Sequence, residues 1–98
     1  MESGRRAVIW APSAYADLDQ ALSTREDPAT LLEAALDAAE SLSTLASLVP
    51  ELDDVITREL FVREFRLIYE VSSDHVLIVA FLFGARDFET WRRERERR

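Results

Sequence analysis

Proline 50 divides this chain into two halves of different hydrophobic period, and that division constrains the fold more than any other feature. Between Pro12 and Leu48 apolar residues recur at helical spacing. Ala14, Leu18, Ala21 and Leu22 share one stripe, and Leu32, Ala35, Ala39, Leu42 and Ala46 share another, while Glu33, Asp37 and Glu40 turn away. Pro12 and Ser13 suit the entry of a first helix near Ser13 to Ser23. Asp27 before Pro28 places a capping carboxylate ahead of proline at the first helical position, which predicts a second helix from Pro28 to about Leu48. Proline cannot continue that helix, and it pushes Val49 toward extended geometry.

Alternation takes over beyond Pro50. Three strands are predicted, at about Val55 to Val62, Phe65 to Val71 and His75 to Phe83, with a further short strand at the start, Arg6 to Trp10. Arg63-Glu64 and Ser72-Ser73-Asp74 are the turns, although neither carries the favoured Asn-Gly or Gly-Gly. The expected architecture is α+β: strand, helical hairpin, then a three-stranded antiparallel meander, with a short C-terminal helix as an option. At 98 residues the chain has material for one core, so a single domain spanning 1–98 is expected, with its core at about 6–87 and a charged segment at 88–98.

The stretch RELFVREFRLIYEV, residues 58–71, poses the central chemical question, because Arg58, Arg63 and Arg66 are threaded through apolar positions where unpaired charge is costly. A two-residue loop at 63–64 sets Arg58 opposite Tyr69, Leu60 opposite Leu67 and Phe61 opposite Arg66. One face then carries Leu60, Val62, Phe65, Leu67, Tyr69 and Val71, with Arg58 at its edge. The other carries Glu59, Phe61, Arg66, Ile68 and Glu70. Strict alternation in the last strand adds Leu77, Val79, Phe81 and Phe83 to Phe61 and Ile68. The expected outcome is an outer apolar patch that something must cover: Phe88 and Trp91 of a C-terminal helix, or a partner.

The formal charge of -7 is unevenly distributed, since residues 1–54 hold eleven acidic groups against Arg5, Arg6 and Arg25 while residues 55–98 hold eight against nine arginines. Lysine is absent, and guanidinium favours bidentate contacts with carboxylate or phosphate. The chain contains no cysteine, which removes disulfides, thiolate metal sites and thiol nucleophiles. No metal site or cofactor is expected. The longest apolar run, Val76 to Phe83, is far shorter than a bilayer span, and no leader pattern opens the sequence, so a soluble, cytoplasmic protein without membrane contact is expected.

Taken together, the segments APSAYADL (Pro12, Ala14, Asp17, Leu18), RELFVREFRLIYEV (Arg58, Leu60, Phe65, Arg66, Tyr69) and LFGARD (Leu82 to Asp87) resemble the RelE/ParE superfamily of toxins from bacterial type II toxin-antitoxin pairs. The resemblance spans about Val8 to Asp87. It implies growth inhibition relieved by a cognate antitoxin, with an assembly that could include a homodimer or a toxin-antitoxin hetero-oligomer. It also implies two alternative activities: cleavage of messenger RNA on the ribosome, as in RelE-like members, or poisoning of DNA gyrase, as in ParE-like members. The chain has Phe83 where many relatives have histidine, and its one histidine, His75, is predicted beside a turn. Cleavage by 2'-hydroxyl attack needs a proton acceptor and donor beside phosphate-binding cations. The sequence supplies the cations without a well-placed base, and its overall acidity does not favour a ribosome-bound nuclease or direct nucleic-acid binding. The ParE-like reading, with gyrase as target, is therefore preferred, and a non-toxic antitoxin-binding module is a third. Functional-surface candidates are Arg66, Arg86, Asp87, Arg58 and Tyr69. The partner-binding patch is expected at Phe61, Ile68, Val79, Phe81 and Phe83, and no catalytic residue is assigned.

Overall fold

The computed structural model describes residues 6–45 and 56–96. Strand β1 (Ala7–Trp10) leads into helix α1 (Pro12–Ser23), which is followed by helix α2 (Pro28–Leu45). Strands β2 (Ile56–Val62), β3 (Phe65–Val71) and β4 (His75–Phe83) form the meander, and helix α3 (Gly84–Glu96) follows directly. The expected end of the second helix, 46–48, and Val55 lie outside the described residues. The sheet order is β1-β4-β3-β2, with β1 parallel to β4 and the other pairs antiparallel.

The β2–β3 register is the one that the two-residue loop requires: Arg58 pairs with Tyr69, Leu60 with Leu67, Phe61 with Arg66 and Val62 with Phe65. The loop is closed without glycine because Arg63 itself adopts φ 55°, a left-handed conformation uncommon for a side-chain-bearing residue. At the other end of β3, Arg6 Nε donates to the carbonyls of Ser72 and Ser73 at 2.9 and 3.2 Å, fastening the start of β1 to the second turn.

The main core lies between the inner face of the sheet and the helical hairpin. Ala14, Leu18 and Ala21 of α1 and Leu31, Ala35, Ala39 and Leu42 of α2 pack with Val62, Phe65, Leu67, Val71, Val76, Ile78 and Phe81. Ala14 and Ala35 are fully buried, and their small side chains let both helices approach the sheet closely. A second, smaller cluster on the outer face joins Ile68, Val79 and Ala80, with Leu77, Leu82 and Trp91 packed against it. Trp91 of α3 therefore supplies the internal cover expected from the sequence. The side chain of Phe88 lies outside the described residues.

One expectation about the sheet is corrected. Ile68 pairs with Ala80 but Tyr69 pairs with Ile78, so Val79 is an extra residue, a β-bulge. A bulge shifts the alternation by one position. Before it Val76 and Ile78 face the inner core; after it Phe81 does, 3% exposed and stacked on Phe65 at 4.8 Å. Phe83 follows Phe81 onto the inner side, edge-on to Phe65 at 5.5 Å. Neither phenylalanine belongs to the outer patch, which strict period-2 reading had assigned to both.

The shortness of β1 accounts for the placement of α1. β1 pairs only with His75 to Ile78, leaving the next stretch of β4 without a strand on that side. Helix α1 satisfies that edge: the Ala11 N–H donates to the Ile78 carbonyl at 2.8 Å and the Ser13 hydroxyl to the Val79 carbonyl at 3.2 Å. The Phe81 N–H donates to Asp17 Oδ2 at 3.1 Å. Burial pushes the Asp17 carboxyl above its ordinary pKa, against the opposing effect of the Phe81 bond. The folded state then holds this proton more tightly than the unfolded chain, so the contribution of Asp17 to stability improves as pH falls into the carboxylate range. Asp17→Asn keeps an acceptor without the desolvated charge and is expected to equal or exceed wild-type stability at neutral pH, losing that advantage toward about pH 4. Asp17→Ala strands the Phe81 N–H and is expected to cost about 1–3 kcal/mol at neutral pH. Denaturant melts of the three proteins at both pH values check the order.

Candidate functional site

The hairpin arginines have different environments. Arg66 lies on the outer face, its Nη1 donating to Glu59 Oε1 at 2.6 Å, with the guanidinium 5.0 Å from the Phe61 ring centroid. Both partners come from β2: Phe61 directly across the strand pair from Arg66, and Glu59 two residues further along. Arg58 pairs in register with Tyr69, as expected, but it is exposed, and no ion pair reaches it among the described residues. Its exposure follows from its place: β2 is the edge of the sheet, and its end opens to solvent. Tyr69 packs against the inner core as a half-buried side chain.

These placements separate the candidates. Arg66 projects from the outer face, whereas Tyr69, three residues on, belongs to the inner face. His75 opens β4, while Arg66 is paired with Leu82 near the other end, about 20 Å away at strand rise. The His75 ring Nδ1 lies 2.8 Å from Asp74 Oδ1 and 3.0 Å from the Ser72 hydroxyl, so the imidazole is part of the turn. Its contact lowers the Asp74 pKa. Arg86 and Asp87 fall in α3, but their side chains lie outside the described residues. Of the expected patch, Ile68 and Val79 lie under Trp91, Phe61 is exposed at 64% on the outer face, and Phe83 is exposed at 56% on the inner side. Among the described residues, no three His, Asp or Glu side chains converge in the manner of a metal site.

Two groupings were not anticipated from the sequence. Arg95 of α3 is bound to Glu70 of β3 and stacks over Trp91 at 5.1 Å, closing α3 onto the outer face. Arg25, just beyond α1, pairs with Glu64 at 2.9 Å and lies 5.6 Å from the Phe65 ring, joining the helical hairpin to the first turn of the meander. Glu64 is held below its ordinary pKa by a backbone hydrogen bond first and by Arg25 second. The signal available in the sequence was weak, because each pair joins residues from distant segments.

Around α3 the surface forms two clefts. One, of about 610 Å³, runs between α3 and β2 and is lined by Thr57, Arg58, Glu59, Trp91, Arg92 and Arg95 among others. The second, of about 600 Å³, runs between α3 and the start of α1, and includes Ser13, Asp17, Val79, Trp91 and Glu94. The first is rich in arginine and the second is mixed. This chemistry suits recognition of carboxylates on a protein partner, with an aromatic floor at Trp91. No helix among the described residues is long and apolar enough to cross a membrane.

The outer-face pair can be tested directly. Arg66→Ala is expected to cost about 1 kcal/mol or less, the sum of a solvent-accessible ion pair and an exposed cation–ring contact. Combined with Glu59→Ala, the loss is expected to be smaller than the sum of the two single losses by roughly 0.5 kcal/mol, read from a double-mutant cycle of denaturant midpoints.

No protein-family model matches the sequence, and no curated protein does so. Among solved structures, a chain of the chromosomal ParDE TA system from P. aeruginosa is similar, with a TM-score of 0.67 at 16% identity, over 85% of this chain and 100% of that one. The order of strand, helical hairpin, meander and closing helix is therefore a fold shared with that ParDE-system chain.

Proposed function

We propose that this chain is the toxin-like member of a type II toxin-antitoxin pair, that it acts in the ParE manner by poisoning DNA gyrase, and that a cognate antitoxin neutralises it. The observation that carries the reading is the shared fold, which extends over the whole of a ParDE-system chain and most of this one. The dispersal of the chemistry-bearing side chains supports the ParE-like branch over the RelE-like one. Arg66 is engaged by Glu59, Tyr69 belongs to the opposite face, and His75 is held in a turn about 20 Å from Arg66. A carboxylate beside the principal cation also opposes a phosphate there.

One observation favours a second reading. Arg66 and Arg95 are each bound to a carboxylate of the sheet, Glu59 and Glu70, as expected if these arginines serve the fold of a non-toxic antitoxin-binding module. Induction of the chain without antitoxin in a susceptible bacterium distinguishes the readings. The expected result is growth arrest with induction of the DNA damage response and intact ribosome-bound messages. Cuts in translated messages that disappear in an Arg86→Ala variant would establish the nuclease instead, and unimpaired growth at high expression would establish the non-toxic module.

A further inference from the structure

One side of the helical hairpin is buried on the sheet; the other is open and carries charge of a single sign. Helices α1 and α2 contain no basic side chain. Residues 12–45 hold seven Asp or Glu against one arginine, Arg25, which is engaged by Glu64 of the meander. Asp17 turns to the sheet, and the other six, Asp19, Glu26, Asp27, Glu33, Asp37 and Glu40, are exposed. On α2, Glu33, Asp37 and Glu40 fall at i, i+4 and i+7, where like charges on successive turns repel. No described arginine pairs with these three. Beside this acidic row run Leu32 and Leu36, one turn apart, 37% and 50% exposed. The solvent side of a surface helix is normally polar, and this one sets two leucines together on it. Trp91 covers the outer face of the sheet, but no described element covers this stripe.

We infer that this face of α2 is the docking surface for a basic amphipathic helix of a protein partner. The partner's apolar stripe lies along Leu32 and Leu36, and its arginines or lysines meet Glu33, Asp37 and Glu40. Charge selects the occupant. A second copy of the chain would bring the same acidic row against itself, and like charges across an interface are costly. Nucleic acid and the anionic surface of a membrane are repelled for the same reason. Geometry selects a helix. Leucines at i and i+4 form a ridge along the helix axis, which the groove between side-chain rows of a second helix accepts. Glu33 to Glu40 spans about 10 Å of that axis, so cations on successive turns of the partner reach successive carboxylates. The charge-assisted bonds formed there replace mutual repulsion of the row with attraction, and the leucine ridge adds apolar burial. The surface lies on the helical hairpin, apart from the arginine-lined cleft beside α3.

Defined peptides test this chemistry. The probe is a labelled synthetic helix of about 18 residues, with leucines on one stripe and arginines along its flanks. One control scatters the same leucines and arginines around the helix, and the other replaces every arginine with glutamate. Fluorescence anisotropy with the purified full chain near physiological salt is expected to show the probe binding at about micromolar Kd, and both controls weaker by about tenfold or more. Amide shifts of the isotope-labelled chain are expected to centre on residues 32–40. Two double variants, Leu32→Ser with Leu36→Ser and Glu33→Arg with Asp37→Arg, change only exposed positions, and circular dichroism checks their folding. Each is expected to weaken the probe by about tenfold or more, and the charge-reversed variant is expected to prefer the glutamate control. Absence of probe binding overturns the proposal. So does equal binding of either control, which is attraction by charge or by leucine alone, or a set of shifts centred on the cleft beside α3. Because the peptides are compared on the unaltered chain, the result does not hang on a variant's folding, and it is independent of toxicity and of the gyrase assignment.

Discussion

The structure depends on how the backbone of β4 is satisfied beyond the reach of β1. A four-residue strand cannot pair with a nine-residue one along its length, and the remainder carries polar backbone groups into a half-buried setting. Helix α1 answers this through the Ala11 amide, the Ser13 hydroxyl and the Asp17 carboxylate, each assigned to one backbone group between Ile78 and Phe81. The bulge at Val79 falls within the same stretch. It turns Phe81 inward onto Phe65 while leaving Val79 and Ala80 outside under Trp91. The short β1 thus leaves the place that α1 fills, while the bulge completes the inner aromatic pair and shapes the surface on which α3 rests.

Charge is organised by the same topology. The arginines that touch the sheet are not free cations in an apolar medium: Arg66 meets Glu59, Arg95 meets Glu70 and Arg25 meets Glu64, each pair partly exposed to water. Such pairs contribute little net stability but select geometry, since an unmatched guanidinium at the same place would be penalised. All three guanidinium groups also lie over an aromatic ring, of Phe61, Trp91 or Phe65. Flat, weakly hydrated guanidinium does this better than ammonium, which gives the lysine-free composition a structural use. The acidic excess of the chain is left largely on the exposed sides of the two hairpin helices, away from the arginine-lined cleft beside α3.

The two open features, the cleft beside α3 and the edge of β2, adjoin each other. Thr57, Arg58 and Glu59 line the cleft and also form the edge strand. A strand added at β2 would therefore change access to the cleft, and a ligand in the cleft would meet the same arginine that the edge presents.

The sequence by itself determined the element types and the hairpin register. The helical stripes through Ala14/Leu18 and Ala35/Ala39/Leu42 and the spacing of Val62 and Phe65 about a two-residue loop are local signals, and local steric rules are enough to read them; the residue that extends the second stripe toward its start is Leu31, 1% exposed, and not the expected Leu32, 37% exposed. They also placed Arg66 on the outer face opposite Phe61, because period 2 and a tight turn leave no other choice. Only the tertiary structure decided the phase of β4 after Val79, and with it the faces of Phe81 and Phe83. An inserted residue leaves no mark in a strand that is apolar at every position from Val76 to Phe83, whereas the backbone groups beside it are met by Asp17 and Ser13, more than sixty residues away. The same holds for the exposure of Arg58: its partner across the hairpin was legible, but that β2 would be an edge followed from the parallel insertion of β1 beside β4, a long-range choice that no local pattern encodes.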